Sequence, residues 1–310
     1  MSTASNTSTI EPRRVFITGV TGFVGTAIVT SLPDAELTLL VRAPSKASTP
    51  GNVATVQGDV TDPASLAGKL DGFETVIHLV GIIEEQGAAT FDSIIRKGTQ
   101  NVVAEAKRAG VRHFVHMSAL GAKNDPEYAY HTAKWKAEEA VKTSGIPYTI
   151  FRPSVIFGPD DGFINPLAGL VRTFPVVPVV GSGSSRFQPV SLHDVAGAFA
   201  RAVADPETTT GQTYELGGAK AYTYEEMLDV IGDEMGKKRP KVHIPVGLMK
   251  LVVKASAPLP KKLRPPVTSE QLKMLALDNS TPSSATERLI GRKPVALEDG
   301  IAYVRSGTSG

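Results

Sequence analysis

Residues 14–18 (RVFIT) are apolar and β-branched, and they run directly into Gly19-Val-Thr-Gly22-Phe-Val-Gly25. Apolar residues at helical spacing then continue from Phe23 to Leu32. A strand, a turn with glycines three apart and a helix, in that order, fit few arrangements. Glycine permits the tight turn, lets the backbone approach a bound group, and lets the helix pack close to its strand; the helix start then points N–H groups at an anion. Spaced glycines alone say little in a chain that holds 29 of them. In this strand–turn–helix setting they predict a seat for the pyrophosphate of a dinucleotide.

The pattern repeats along the first half. Strands are predicted at 36–41, 53–57, 75–80, 113–117 and 148–152, where β-branched and apolar residues cluster. Helices fall between them: a short one from Asp62 with Pro63 at its first position, a long one over 91–109, and one over 130–143. Alternating strands and helices imply right-handed crossovers and an α/β fold with a parallel, doubly wound sheet of the Rossmann type. We divide the chain into a disordered tail (1–12), a nucleotide-binding Rossmann domain (13–157), a substrate or cap region interleaved with Rossmann elements (158–305) and a short tail (306–310). In the cap region helices are expected at 193–204 and 223–236 and from about 246 and 268, with a strand at 212–216.

Composition excludes several alternatives. With no cysteine, disulfides, thiolate metal sites and a cysteine nucleophile are ruled out. His113 and His116 lie three apart on a strand and point to opposite faces, so no metal site is indicated. No basic and aromatic residues interleave in the manner of a nucleic-acid surface, and no nucleic-acid partner is expected. The polar start lacks the apolar core of a signal peptide, and no apolar run reaches the ~18–20 residues that span a bilayer. The expected location is cytoplasmic, or peripheral at the inner face of a membrane.

The GxxGxxG spacing after Thr18 resembles the short-chain dehydrogenase/reductase superfamily, in particular its extended and atypical members. Gly58-Asp59-Val60-Thr-Asp62 resembles the family's adenine-contacting turn, His78-Leu-Val-Gly81 the segment beneath the nicotinamide ribose, and Gly98-Thr-Gln-Asn101 a helix motif with a structural asparagine. The resemblance implies cofactor contacts from Gly19, Thr21, Gly22, Phe23, Val24, Gly25, Asp59, Val60, Leu79, Val80, Gly81, Lys134, Pro153 and Val155. Where an NAD-specific fold ends its second strand with an acid, this chain has Val41-Arg42, with Lys46 following. An arginine there pairs with a 2′-phosphate, so NADP(H) is favoured over NAD(H).

Tyr130-His-Thr-Ala-Lys134 fits the family's YxxxK pattern, and a spacing of four puts both side chains on one helical face. A nearby ammonium is expected to favour the ionised phenol. The resemblance makes Tyr130 the proton-exchanging group and Lys134 its partner and a ribose ligand, while Ser118 holds the substrate oxygen. Residues 151–165 (FRPSVIFGPDDGFIN), 187–190 (FQPV), 193–196 (HDVA) and 213–217 (TYELG) narrow the likeness. They resemble atypical reductases related to the nucleotide-binding accessory subunit of respiratory complex I. That implies an NADP(H)-dependent oxidoreductase acting on a carbonyl or quinone-like substrate. The alternatives are a non-catalytic subunit of a larger complex and, ranked last, a sugar-nucleotide epimerase or dehydratase.

Between residues 237 and 273 the chain carries ten Lys or Arg against one acid, Glu270. Within this stretch Val246–Lys254 reads as a short helix. Either its Leu248, Leu251 and Val252 pack into the cap with the lysines solvated, or the helix makes a peripheral membrane contact. A lipid-like or quinone substrate would suit the second reading.

Overall fold

The computed structural model describes residues 13–43, 53–256 and 269–306. The expected tail 1–12, residues 307–310, Lys46 and the Leu- and Pro-rich stretch 263–266 lie outside the described residues.

Seven parallel strands form one sheet. In chain order they are β1 (Arg14–Thr18), β2 (Glu36–Val41), β3 (Val53–Gln57), β4 (Thr75–His78), β5 (His113–Met117), β6 (Tyr148–Pro153) and an edge strand, Gln212–Leu216. In space they run edge strand, β6, β5, β4, β1, β2, β3. The chain therefore builds outward from β1 to β3, then returns to β1's other side with β4. This is a Rossmann-type doubly wound sheet, and its direction reverses between β1 and β4. Sheets of this kind bind ligands in the crevice outside the carboxyl ends of the strands at such a reversal.

The inner strands β1, β2, β4, β5 and β6 are buried on both faces, as a sheet covered on both sides requires, while β3, at the opposite edge, is largely exposed. Val15 and Ile17 of β1 pack with Ile28, Leu37, Phe151 and Phe199. Phe16 points the other way, among Val76, Phe114, Val102 and Val141. The helices on these faces include α1 (Gly25–Thr30), α2 (Pro63–Leu66), α3 (Gly98–Arg108) and α4 (Ala129–Lys142). Asp62 caps α2 by accepting the Ala64 N–H, with Pro63 in the first turn. β4 is shorter than the expected 75–80, because Leu79 and Val80 leave the sheet to pass under Gly19. The expected helix over 91–109 begins instead as a π-helix, Phe91–Lys97, held at its start by a reciprocal Thr90–Ser93 capping box, before α3 takes over.

After β6 the chain moves between two cores. α5 (Ile164–Thr173) and the helix Tyr224–Glu234 build a second core with Phe157, Val177, Val179, Phe187, Leu297 and Ile301. α6 (Leu192–Ala204) returns to the first core through Val195, Phe199 and Ala202, and the edge strand extends the main sheet beside β6. Asp161 explains the 160–165 motif: its carboxylate accepts the backbone N–H groups of Phe163, Ile164 and Asn165 at the start of α5, and the Tyr303 hydroxyl. A parallel pair, Val177–Val180 with Lys241–Ile244, has no counterpart in the sequence expectations. Pro178 and Pro240 interrupt its apolar runs, which hides so short a ladder.

Candidate functional site

The glycine turn follows β1 at the crevice. Gly25 donates its N–H to the Gly22 carbonyl, and Gly22 to the Gly19 carbonyl, both at 3.1 Å. The three glycines have different reasons for lacking a side chain. Gly19 has φ +84°, and a Cβ there would lie 2.8 Å from the Val80 nitrogen. A Cβ on Gly25 would lie 2.3 Å from the Val20 carbonyl oxygen. Both glycines are thus required by the protein's own packing. Gly22 is different: a Cβ would meet only the Gly19 oxygen, at 3.3 Å, and otherwise open space. The turn keeps a cradle that a side chain would fill, as close approach of a pyrophosphate demands. Thr21 is exposed and Val24 buried, while the Phe23 ring reaches across toward Gly158.

The second wall comes from β2 and β3. Arg42 is exposed immediately after β2, and its carbonyl accepts a hydrogen bond from the Gln57 amide at 3.1 Å. Asp59 folds its own turn, its carboxylate accepting the N–H and hydroxyl of Thr61. Asn101 donates from its amide to the Val60 carbonyl at 2.9 Å and fastens this turn to α3.

The floor is polar and buried. Thr99 donates its hydroxyl to the Ile95 carbonyl (2.6 Å), so it accepts from His78 Nε2 (3.0 Å). His78 Nδ1 is then bare and accepts from the Thr18 hydroxyl at 2.6 Å. This chain of bonds makes His78 a neutral Nε2–H imidazole, and burial holds its pKa well below the usual histidine range. The His116 ring stacks on it at 5.5 Å; neither of its nitrogens has a hydrogen-bond partner among the described residues, and burial keeps it neutral too.

Lys134 enters from α4. Its ammonium donates to the Met117 carbonyl at 3.0 Å, and a Cβ on Gly81 would stand 3.2 Å from Nζ. The charge therefore lies between the ends of β4 and β5, where burial pushes its pKa down to about 8. Tyr130, one helical turn earlier, packs edge-on against Phe91 at 5.6 Å. Its phenol behaves contrary to expectation. Burial pushes it up to about 12 with no offset from Lys134, because the ammonium turns toward the strand ends while the ring packs on the π-helix. The resting phenol is protonated.

Ser118 is brought to a different environment. Its buried hydroxyl donates to Glu138 Oε1 at 2.5 Å. Arg152 grips the same carboxylate with two bonds, at 2.8 and 2.6 Å. Pro153 and Val155 also have partners: the Pro153 carbonyl accepts from the Leu120 N–H, and the Val155 N–H donates to Asn279 Oδ1. Glu138, Arg152 and Asn279 were not singled out from the sequence. Glu138 carries a signal in hindsight, since it lies one turn beyond Lys134 on α4; Asn279, over a hundred residues from Val155, carries none. Among the described residues no cluster of His, Cys, Asp or Glu could hold a metal ion.

Comparisons with known proteins agree with this geometry. The family described as NAD(P)H-binding matches residues 19–206. The chain is 27% identical to an Arabidopsis thaliana protein named NADH dehydrogenase [ubiquinone] 1 alpha subcomplex subunit 9, mitochondrial, over 91% of this chain and 72% of that one. It is 30% identical to a ceramide reductase of Caulobacter vibrioides, over 74% of this chain and 73% of the relative. The fold matches that of an NADPH-dependent quinone oxidoreductase from Escherichia coli, solved with NADPH, at a TM-score of 0.72 and 23% identity, covering 94% of this chain and 98% of that one.

Proposed function

Since this chain belongs to the NAD(P)H-binding family, we propose that it is an NADP(H)-dependent oxidoreductase that reduces a carbonyl or quinone-like group, with Tyr130 as proton donor. The observation that carries this reading is the placement of Lys134. A buried ammonium held against Gly81 and the Met117 carbonyl, at the carboxyl ends of β4 and β5, is where ribose hydroxyls of a bound dinucleotide would meet it.

When bound, the nicotinamide supplies hydride. The chain supplies the proton and the position. The Tyr130 phenol, protonated at neutral pH like any tyrosine and held so still more firmly by burial, donates to the oxygen that gains negative charge. Lys134 holds the ribose side. Glycines 19, 22 and 25 seat the pyrophosphate, and Arg42 pairs with the 2′-phosphate. Arg42→Ala should weaken NADPH binding by ~1.5–3 kcal/mol, the scale of a hydrogen bond to a charged group, and leave NADH nearly unchanged. Equal losses for both cofactors, measured calorimetrically, would count against this role.

Tyr130→Phe tests the reaction. The variant should bind NADPH as the wild type does and lose turnover ~10²–10⁴-fold in NADPH oxidation with a panel of quinones and ketones. A second reading is favoured by Ser118, whose hydroxyl is engaged by Glu138 instead of facing a substrate oxygen. On that reading the chain is a non-catalytic, cofactor-stabilised accessory subunit. Tight NADPH binding without wild-type turnover on any member of the panel would select it.

A further inference from the structure

On helix Val246–Ser256, Leu248 is 53% exposed, Leu251 62% and Val252 43%. The two sequence readings of these residues are thereby separated, since none of the three packs into the cap. The reason is rotational. Val246, Met249, Val253 and Ser256 form the inward face, and the helix packs on its neighbour Ser269–Leu275. Leu248, Leu251, Val252 and Ala255 form the opposite stripe, and no charged residue interrupts it. A helix lying between core and water has the reverse pattern, so this stripe is built to be covered.

We propose that this stripe docks on an anionic lipid surface. Lys250 and Lys254, both exposed and one turn apart, border it. The surrounding stretch, 237–273, carries ten basic residues and one acid, while the rest of the chain holds 23 basic and 30 acidic residues. Among the described residues, Lys250 and Lys254 set positive charge beside the apolar stripe, the pairing that anionic headgroups over an acyl layer attract. A second copy of this chain would bring the same two lysines against each other and meet like-charge repulsion. No helix among the described residues is long and apolar enough to cross a membrane, so the helix lies in the plane of the interface.

The docking face stands one helix from the crevice. Helix Ser269–Leu275 accepts the Tyr130 N–H on Glu270 (3.4 Å) and donates from Lys273 to the Glu127 carbonyl (2.9 Å). Docking would therefore set the start of α4 near the lipid from which a lipid-dissolved substrate would come. That consequence rests on the oxidoreductase reading; the docking itself does not.

Co-sedimentation of the full chain with vesicles, followed by protein recovery alone, tests the docking independently of turnover. The wild type should sediment with phosphatidylcholine vesicles containing phosphatidylglycerol, stay in solution with phosphatidylcholine alone, and release as salt rises. Lys250→Ala with Lys254→Ala should weaken binding about thirtyfold, from the loss of two lysines at the surface. Leu251→Asp should abolish it even at low salt with an unchanged melting temperature, which distinguishes lost docking from lost folding. Failure of the wild type to sediment at low ionic strength would overturn the proposal. So would equal binding to both vesicle types, or vesicle-free self-association that Leu251→Asp abolishes.

Discussion

Lys134 combines two requirements that oppose each other. Burial against Gly81 and Met117 disfavours its charge, yet the proposed dinucleotide seat uses that charge. Its pKa in the free protein, about 8, lies below the ordinary lysine value of 10.5. Folded protein therefore binds fewer protons at this site than unfolded chain between these values, and stability from this group rises with pH across that window. Cofactor affinity runs the other way: above about 8 the ammonium is lost before NADPH arrives, so Kd should rise by up to about tenfold per pH unit. Calorimetric titration of NADPH from about pH 7 to 9.5 checks this, and a flat profile would contradict it. Lys134→Met should remove the pH dependence and most of the affinity without lowering the melting temperature of the free protein. The spacing of Tyr130 and Lys134 was legible because four residues on a helix share a face. The phenol's upward shift was not, because it depends on the Phe91 ring supplied by another element.

At the scale of elements, the glycine turn divides into structural and ligand-facing positions. Gly25→Ala places a methyl 2.3 Å from a backbone oxygen that cannot yield, so α1 must shift from β1. It should destabilise by ~1–3 kcal/mol, the usual scale of overpacking. Gly22→Asp meets little of the protein, so its melting temperature should stay near wild type while NADPH binding is lost to collision and like charge. Thermal unfolding of both variants with and without NADPH separates them. Similar destabilisation by both would remove the distinction. The strands of the main sheet were legible because apolar and β-branched runs end sharply at turn residues, and β1, β2, β3 and β5 fall where the pattern puts them. The π-helix before α3 was not, since hydrophobic spacing reads the same for a π-turn as for an α-turn over seven residues. The Glu138–Arg152–Ser118 cluster joins α4, β6 and the end of β5, and only the folded sheet brings them together.

At the scale of the molecule, the sheet order places its direction reversal between β1 and β4. Gly19 meets Leu79 and Val80, and Gly81 meets Lys134, without a shared stretch of sequence. The second core leans on this sheet through Asn279, which ties the chain near its carboxyl end to Ser154 and Val155 beside the crevice. Occupying the crevice should therefore stabilise the whole chain, by an amount that grows with free cofactor concentration. The most direct measurement is a paired calorimetric titration of the full wild-type chain with NADPH and NADH, alongside its melting temperature in each. We expect saturable NADPH binding, tighter than NADH, with a melting temperature that climbs as NADPH is raised; no heat and no thermal shift with either dinucleotide would contradict the account.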